Sequence, residues 1–250
     1  MSANLWLIGV PAALSAGAAA TVYGAVHPRS QFFGNTLCRT SRPEKLAVTF
    51  DDGPNPAITP KLLDLLDAHH ARATFFLIGR FVRECPDLVR EIAARGHLIA
   101  NHTFTHPNLF WCSPSRIRTE LWQCHEAIAE VTGTPPKWFR PPYGLRNPWV
   151  VSTAHAFAMS AVMWTLLPGD WRATSADWLI RRMQPIAANA PQNHASGRGG
   201  DVLCLHDGSH RGLNADRTRT LAALEYWLPR WRDLGLQFVT IAEAGSTPAL

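Results

Sequence analysis

The sequence predicts an α/β domain built on a mainly parallel sheet, and three observations carry that prediction. Seven short runs rich in apolar, β-branched and aromatic residues recur at 46–50, 74–78, 98–100, 138–139, 161–164, 202–205 and 238–241. Helix-like stretches with their own start and stop signals lie between most of them. Polar motifs follow the runs directly, and α/β folds gather their chemistry at the C-terminal ends of parallel strands. A closed or nearly closed barrel and an open doubly wound sheet both satisfy this pattern.

At the N-terminus, residues 5–26 carry no charge and are rich in alanine and glycine, with Pro11 as an interruption. At about 1.5 Å per residue a helix of this length reaches across a bilayer. A membrane anchor over 1–26 is the first expectation. A secretory signal with Ala18, Ala19 and Ala20 as its cleavage site is the second, and a helix packed on the domain the third. Arg29, Arg39, Arg42 and Lys45 follow the segment. Their positive charge favours a cytoplasmic domain and so conflicts with export to the cell envelope. Residues 27–44 read as a connector, and 45–250 as one folded domain.

Within that domain, Thr59 and Pro60 read as a helix N-cap followed by proline at the first helical position, with Leu62, Leu63 and Leu66 on one face. Ser113 and Pro114 repeat the device. Ile117, Leu121, Cys124, Ile128 and Val131 then form one helical stripe that Gly133 ends. Leu221, Leu224, Leu228 and Trp231 mark the last helix. The stretch 190–200, with its proline, asparagine, serine and glycines, reads as a mobile loop.

Composition narrows the function. The chain has 250 residues, 46% hydrophobic and 17% charged, which is enough apolar content for a full core and too much for a disordered chain. The net charge of +5 is spread over scattered arginines with no dense basic run, so nucleic acid is not an expected partner. Five cysteines without a CxxC pair suggest neither a disulfide framework nor a thiolate zinc site. A Cys112–Cys124 pair stays open beside the plainer reading of small buried hydrophobes. No GxxxxGK[ST] loop and no GxSxG elbow occurs.

The motifs lie at the ends of the apolar runs. Asp51 and Asp52 are adjacent at the end of the first; like charges there repel unless a cation relieves them, although Asp-Gly-Pro is also an ordinary turn. His102 and His106, four apart on an expected helical turn, can point at one metal or be two surface histidines. Arg140, ahead of Pro141 and Pro142, can orient a carboxylate bidentately, and the amide of Tyr143 can serve as half of an oxyanion site. Asp170 and Trp171 follow the fifth run. His206 ends the sixth, with Cys204 expected on the same strand face.

TFDDGP, HTFTH, RPPYG, DW and LHD, in this order along 46–241, resemble the five motifs of the polysaccharide deacetylases, carbohydrate esterase family 4. The resemblance implies a distorted (β/α) barrel of about seven strands with 45–250 as the catalytic domain, and the apolar N-terminal segment is expected to precede it as a helix. It implies a hydrolase that removes N-acetyl groups from N-acetylglucosamine-containing glycans such as peptidoglycan or chitin. A divalent metal, zinc first and cobalt or nickel next, would be held by Asp52, His102 and His106. Asp51 would be the general base, held by Arg140. His206 would be the general acid, oriented by Asp170. The Tyr143 amide would bind the oxyanion. Trp171 would form one wall of the cleft, Trp111 would stack on a sugar face, and Cys204 would line the acetyl pocket. Two positions depart from the family pattern: Leu167 stands where an aspartate is common, and Cys204 where a leucine is. A xylan O-acetyl esterase or cyclic-amide hydrolase using the same site, and a catalytically silent glycan-binding envelope protein, are the alternatives. Acetylated glycan is the expected partner, with single-pass membrane association and a monomeric state.

Overall fold

The computed structural model describes residue 19 and residues 21–245. Residues 21–26 are helical (α1), and most of the expected anchor or signal lies outside the described residues. No helix among the described residues is long and apolar enough to cross a membrane. Among the described residues eight parallel-paired strands follow: β1 (Thr36–Leu37), β2 (Lys45–Gly53), β3 (Ala73–Leu77), β4 (Leu98–Asn101), β5 (Trp138–Phe139), β6 (Ser160–Val162), β7 (Val202–His206) and β8 (Gln237–Phe238). Seven answer to the seven apolar runs. The eighth, β1, comes from the segment read as a connector and pairs with β6 through Thr36 and Ala161.

The sheet order is β1-β6-β5-β4-β3-β2-β7, with β8 beside the start of β2. A parallel bridge between Leu166 and Leu203 joins the chain after β6 back to β7, closing the sheet into a distorted barrel. This decides between the two architectures that the sequence left open.

Strand periodicity sorts side chains between the two faces of the barrel wall. On β2, β3 and β7, Leu46, Val48, Phe50, Phe75, Leu77, Leu203 and Leu205 pack in the cluster shared with the surrounding helices. Their neighbours Ala47, Phe76, Val202 and Cys204 pack in the interior with Val162, Met163 and Trp164. Thr49, Asp51 and His206 continue this inward series, so the polar residues at the strand tops project into the barrel mouth.

The outer helices are α2 (Thr59–Ala68), α3 (Gly79–Glu84), α4 (Pro86–Ala94), α5 (Pro114–Thr132), α6 (Val150–Ala156), α7 (Ala176–Ser196) and α8 (Thr218–Asp233). On α5 the expected signals act as read: Ser113 accepts from the Arg116 amide, Pro114 opens the helix, and Gly133 closes it at φ 72°. Two expectations are corrected. Thr59 is not an N-cap but the first residue of α2; its hydroxyl is committed to the buried Asp207 carboxylate and to the Asn55 amide. The expected loop at 190–200 is helical as far as Ser196, despite Pro185 and Pro191. Burial of Ala190 and Asn193 outweighs the local propensity there. All five cysteines are free, and Cys124 is fully buried on α5.

Candidate active site

The top of β2 holds the first feature invisible in a linear reading. Successive strand residues point to opposite faces, so Asp51 and Asp52 should diverge. Instead the pairing with β3 slips between Asp51 and Gly53, and Asp52 adopts φ 70°. This bulge turns the second carboxylate back toward the first. The flanking glycines permit it. A Cβ on Gly53 would run into the Asp207 carboxylate, and one on Gly208 into the Asp52 carbonyl.

His102 and His106 follow β4, but not on a helical turn as expected. Residues 102–106 form an irregular loop in which Thr103 and His106 have φ 67° and 61°. Glu120 on α5 pins that loop: its buried carboxylate accepts from the Phe104 and Thr105 amides at 3.0 and 2.7 Å and from the Thr105 hydroxyl at 2.6 Å. Thr103 adds a bond from the His106 amide. Nothing in the motif itself signalled Glu120; the available sign was an acid beside the apolar stripe of α5.

Both imidazoles reach Asp52. His106 Nε2 is 3.1 Å and His102 Nε2 3.6 Å from Asp52 Oδ1. His102 Nδ1 lies 2.7 Å from the Arg140 carbonyl, which can only accept, so Nδ1 carries a proton and Nε2 is the nitrogen that faces the carboxylate. Asp52 Oδ1 is buried with no hydrogen-bond partner. An unsatisfied buried carboxylate oxygen facing two imidazole nitrogens suits a divalent cation, with one oxygen and two nitrogen donors. Burial pushes the His106 ring down to about 3, with His102 adding to the effect, which keeps it neutral as a ligand must be. Burial works to raise Asp52, yet the hydrogen bond from the His210 imidazole, with the His106, His206 and His102 rings close by, outweighs it and holds the acid well below the usual carboxylate range.

Arg140 is fully buried in the barrel interior and stacks 4.0 Å over the Phe76 ring. One terminal nitrogen donates to Asp51 Oδ1 and to the Thr49 hydroxyl, each at 2.7 Å. The other donates to the Met163 carbonyl. The grip on Asp51 is therefore single-pronged rather than bidentate, because the second prong is spent on the barrel wall. The Cys204 thiol donates to Asp51 Oδ2 at 3.3 Å. Asp52, His106 and His210 lie close enough together to share an ion, and so do Asp51, Cys204 and His206. Burial, with the Asp51 charge behind it, raises the thiol well above its ordinary value. A metal needs the thiolate, so this group suits a cation less well than the Asp52 set.

Across the mouth, Asp170 accepts from the His206 backbone amide at 2.8 Å, and its other oxygen lies 2.8 Å from His206 Nδ1. The Thr220 hydroxyl completes the clamp. Burial works to lower His206, but the Asp170 charge and hydrogen bond, with Asp52 and Asp51 behind them, raise it to about 9. Tyr143 adopts φ 58° after the two prolines and sets its ring edge on His106. The exposed Trp171 meets the His206 ring at 4.9 Å. Eight of the ten expected site positions line one cleft, and the other two, Arg140 and Asp170, lie directly behind Asp51 and His206. The cleft they form holds about 620 Å³ and is also lined by Trp164, Leu167, His210, Arg211 and Arg217. Trp111 is exposed but does not line it. His210, Arg211 and Arg217 were not anticipated: they sit in the loop after β7, where the sequence shows only a polar turn.

The geometry agrees with the comparisons to known proteins. Residues 39–162 match the family model described as polysaccharide deacetylase. A chitooligosaccharide deacetylase of Bradyrhizobium sp. (strain ANU 289) is 36% identical over 197 residues, 76% of this chain and 85% of that protein. A peptidoglycan-N-acetylglucosamine deacetylase of Bacillus cereus is 36% identical over 198 residues, 79% of this chain and 86% of that one. Among solved structures, a CE4 family pseudoenzyme from Bacillus anthracis superposes with a TM-score of 0.71 at 26% identity, covering 84% of this chain and 68% of its own. From its motifs, its barrel and these relatives, this chain belongs to the polysaccharide deacetylase family.

Proposed function

We propose that this protein is a zinc-dependent deacetylase that removes the N-acetyl group from N-acetylglucosamine residues of a glycan. The observation that carries the reading is the convergence in one cleft of an Asp52–His102–His106 donor set, a carboxylate held by Arg140, and a histidine held by Asp170. A bound divalent cation would supply Lewis-acid polarisation of the acetamide oxygen and of the attacking water. Asp51 takes the proton from that water, its position set by Arg140 and Thr49. The Tyr143 amide donates to the oxygen that gains charge. His206 is the acid. An amide nitrogen leaves poorly unless protonated, and a ring raised to about 9 still carries its proton near neutrality. Trp171 and Tyr143, both exposed at the cleft, offer apolar faces to sugar rings. Cys204 and Leu167 line the same cleft and keep its inner wall apolar for the acetyl methyl.

Residues 45–250 form the catalytic domain in this reading, acting on an envelope glycan, with 1–26 as anchor or signal. Likeness to a pseudoenzyme favours one second reading, a glycan-binding protein without turnover. Against it stand the acid and base together, which binding alone does not need. Acetate release from chitooligosaccharide, peptidoglycan and acetylated xylan, with and without chelator, tests the proposal. Release that chelation abolishes and zinc restores is expected, and Asp52→Ala should eliminate it. Glycan binding without acetate from zinc-loaded protein would favour the second reading.

A further inference from the structure

His210 has no place in the chemistry above, yet its ring lies against the proposed metal set. It stacks on His106 with ring centres 4.6 Å apart and planes 11° from parallel. Its Nδ1 is 3.9 Å from Asp52 Oδ2, and its Nε2 is 3.4 Å from the Tyr143 hydroxyl. The Arg80 guanidinium donates to its backbone carbonyl, tying the loop after β7 to the start of α3. The side chain is one-third exposed, so core packing alone does not account for its orientation.

We propose that His210 is a positioning residue for the metal-ligating carboxylate, holding Asp52 through the oxygen turned away from His102 and His106 and being held in turn by Tyr143. The inference rests on the metal site proposed above. Its chemistry follows from donors and acceptors. In this arrangement the phenol hydroxyl donates to Nε2 and the His210 proton sits on Nδ1, 3.9 Å from Asp52 Oδ2 and able to close on it when the carboxylate is held by the cation. Asp52 Oδ1 faces the two imidazole ligands, so the two carboxylate oxygens have different tasks: one for the cation, one for the group that fixes the carboxylate's rotation. Groups that orient metal-ligating carboxylates typically hold 10- to 100-fold in metal affinity. The near-parallel stack of His210 on His106 argues against direct ligation by both rings. In-plane lone pairs of two parallel rings do not meet at one ion.

Chelator competition would measure zinc affinity in the wild type, His210→Ala, His210→Asn and Tyr143→Phe, with thermal melting of each apoprotein as the folding control. His210→Ala should weaken zinc by roughly 10- to 100-fold. His210→Asn, whose amide N–H takes the place of Nδ1–H, should recover most of that loss, and Tyr143→Phe should cost a few-fold. The visible spectrum of the cobalt-loaded protein should keep its band positions and intensity in His210→Ala. An unchanged affinity in His210→Ala would overturn the proposal. So would a cobalt spectrum that reports a lost ligand, since His210 would then bind the ion itself. A wild type that binds no divalent ion overturns the metal-site reading first and this inference with it; a wild type that binds tightly, with His210→Ala equal to it, overturns this inference alone.

Discussion

Replacing Asp170 by asparagine isolates the electrostatic part of the acid's task. The side chains have the same shape, and the amide oxygen keeps one of the two acceptor positions, toward the His206 backbone or its ring, while the amide NH2 takes the other. What goes is the charge that does most to raise the His206 ring to about 9. Burial, which works to lower the ring, is then no longer outweighed by that charge, and the ring should fall back toward the ordinary histidine value of about 6.5. At pH 8 the wild-type ring is roughly nine-tenths protonated, and the variant's roughly one-thirtieth. The acid form, and with it kcat/KM, should drop roughly thirtyfold at pH 8 but less than about twofold at pH 6. The alkaline limb of the pH–rate profile should move down by more than two pH units, and an NMR titration of the His206 ring should move with it. An alkaline limb that stays near pH 9 in Asp170→Asn would refute the assignment of His206 as the acid tuned by Asp170. The same shift has a stability sign. Because the folded-state value lies above the unfolded one, His206 stabilises the fold fully below about pH 6.5, and the contribution is lost as pH rises through about 9.

Three further outcomes are expected. Arg140→Met leaves the buried Asp51 carboxylate without its cation and the Met163 and Val162 carbonyls without their donor; calorimetry should show a loss of about 3–5 kcal/mol, and deacetylation should fall with it. Arg146 is buried and donates to the carbonyls of Ser30, Gly24 and His27, while its own amide bonds Ala25, so Arg146→Ala should free the N-terminal segment. A loss of about 3 kcal/mol at roughly 1 kcal/mol per bond, with faster tryptic cleavage at Arg29, is the expected reading, and unchanged cleavage would count against it. Cys204 is fully buried with its thiol raised, so brief alkylation of the native protein followed by mass spectrometry should label Cys38, Cys85 and Cys112 and spare Cys204.

The ingredients of the barrel were readable along the chain because they are local. Apolar runs of strand length, the Ser113–Pro114 start and the Gly133 stop act within a few residues, and both appear where expected. The family likewise showed in short motifs, since TFDDGP, HTFTH and LHD each keep their chemistry within a handful of positions. Where local signals compete with distant packing, the linear reading failed. Thr59 gave its hydroxyl to Asp207, and α7 ran on through Pro191 because Ala190 and Asn193 are buried.

The site's working geometry belongs to the tertiary structure. The bulge that turns Asp52 beside Asp51 arises from pairing between β2 and β3. The convergence of His102 and His106 depends on Glu120, which is distant in sequence and sits on α5. His210 reaches Asp52 only because β7 pairs beside β2. Residue types announce which groups can hold a cation or pass a proton. Angles and separations between those groups depend on contacts between strands and helices far apart in the chain, and only the folded barrel brings those partners together.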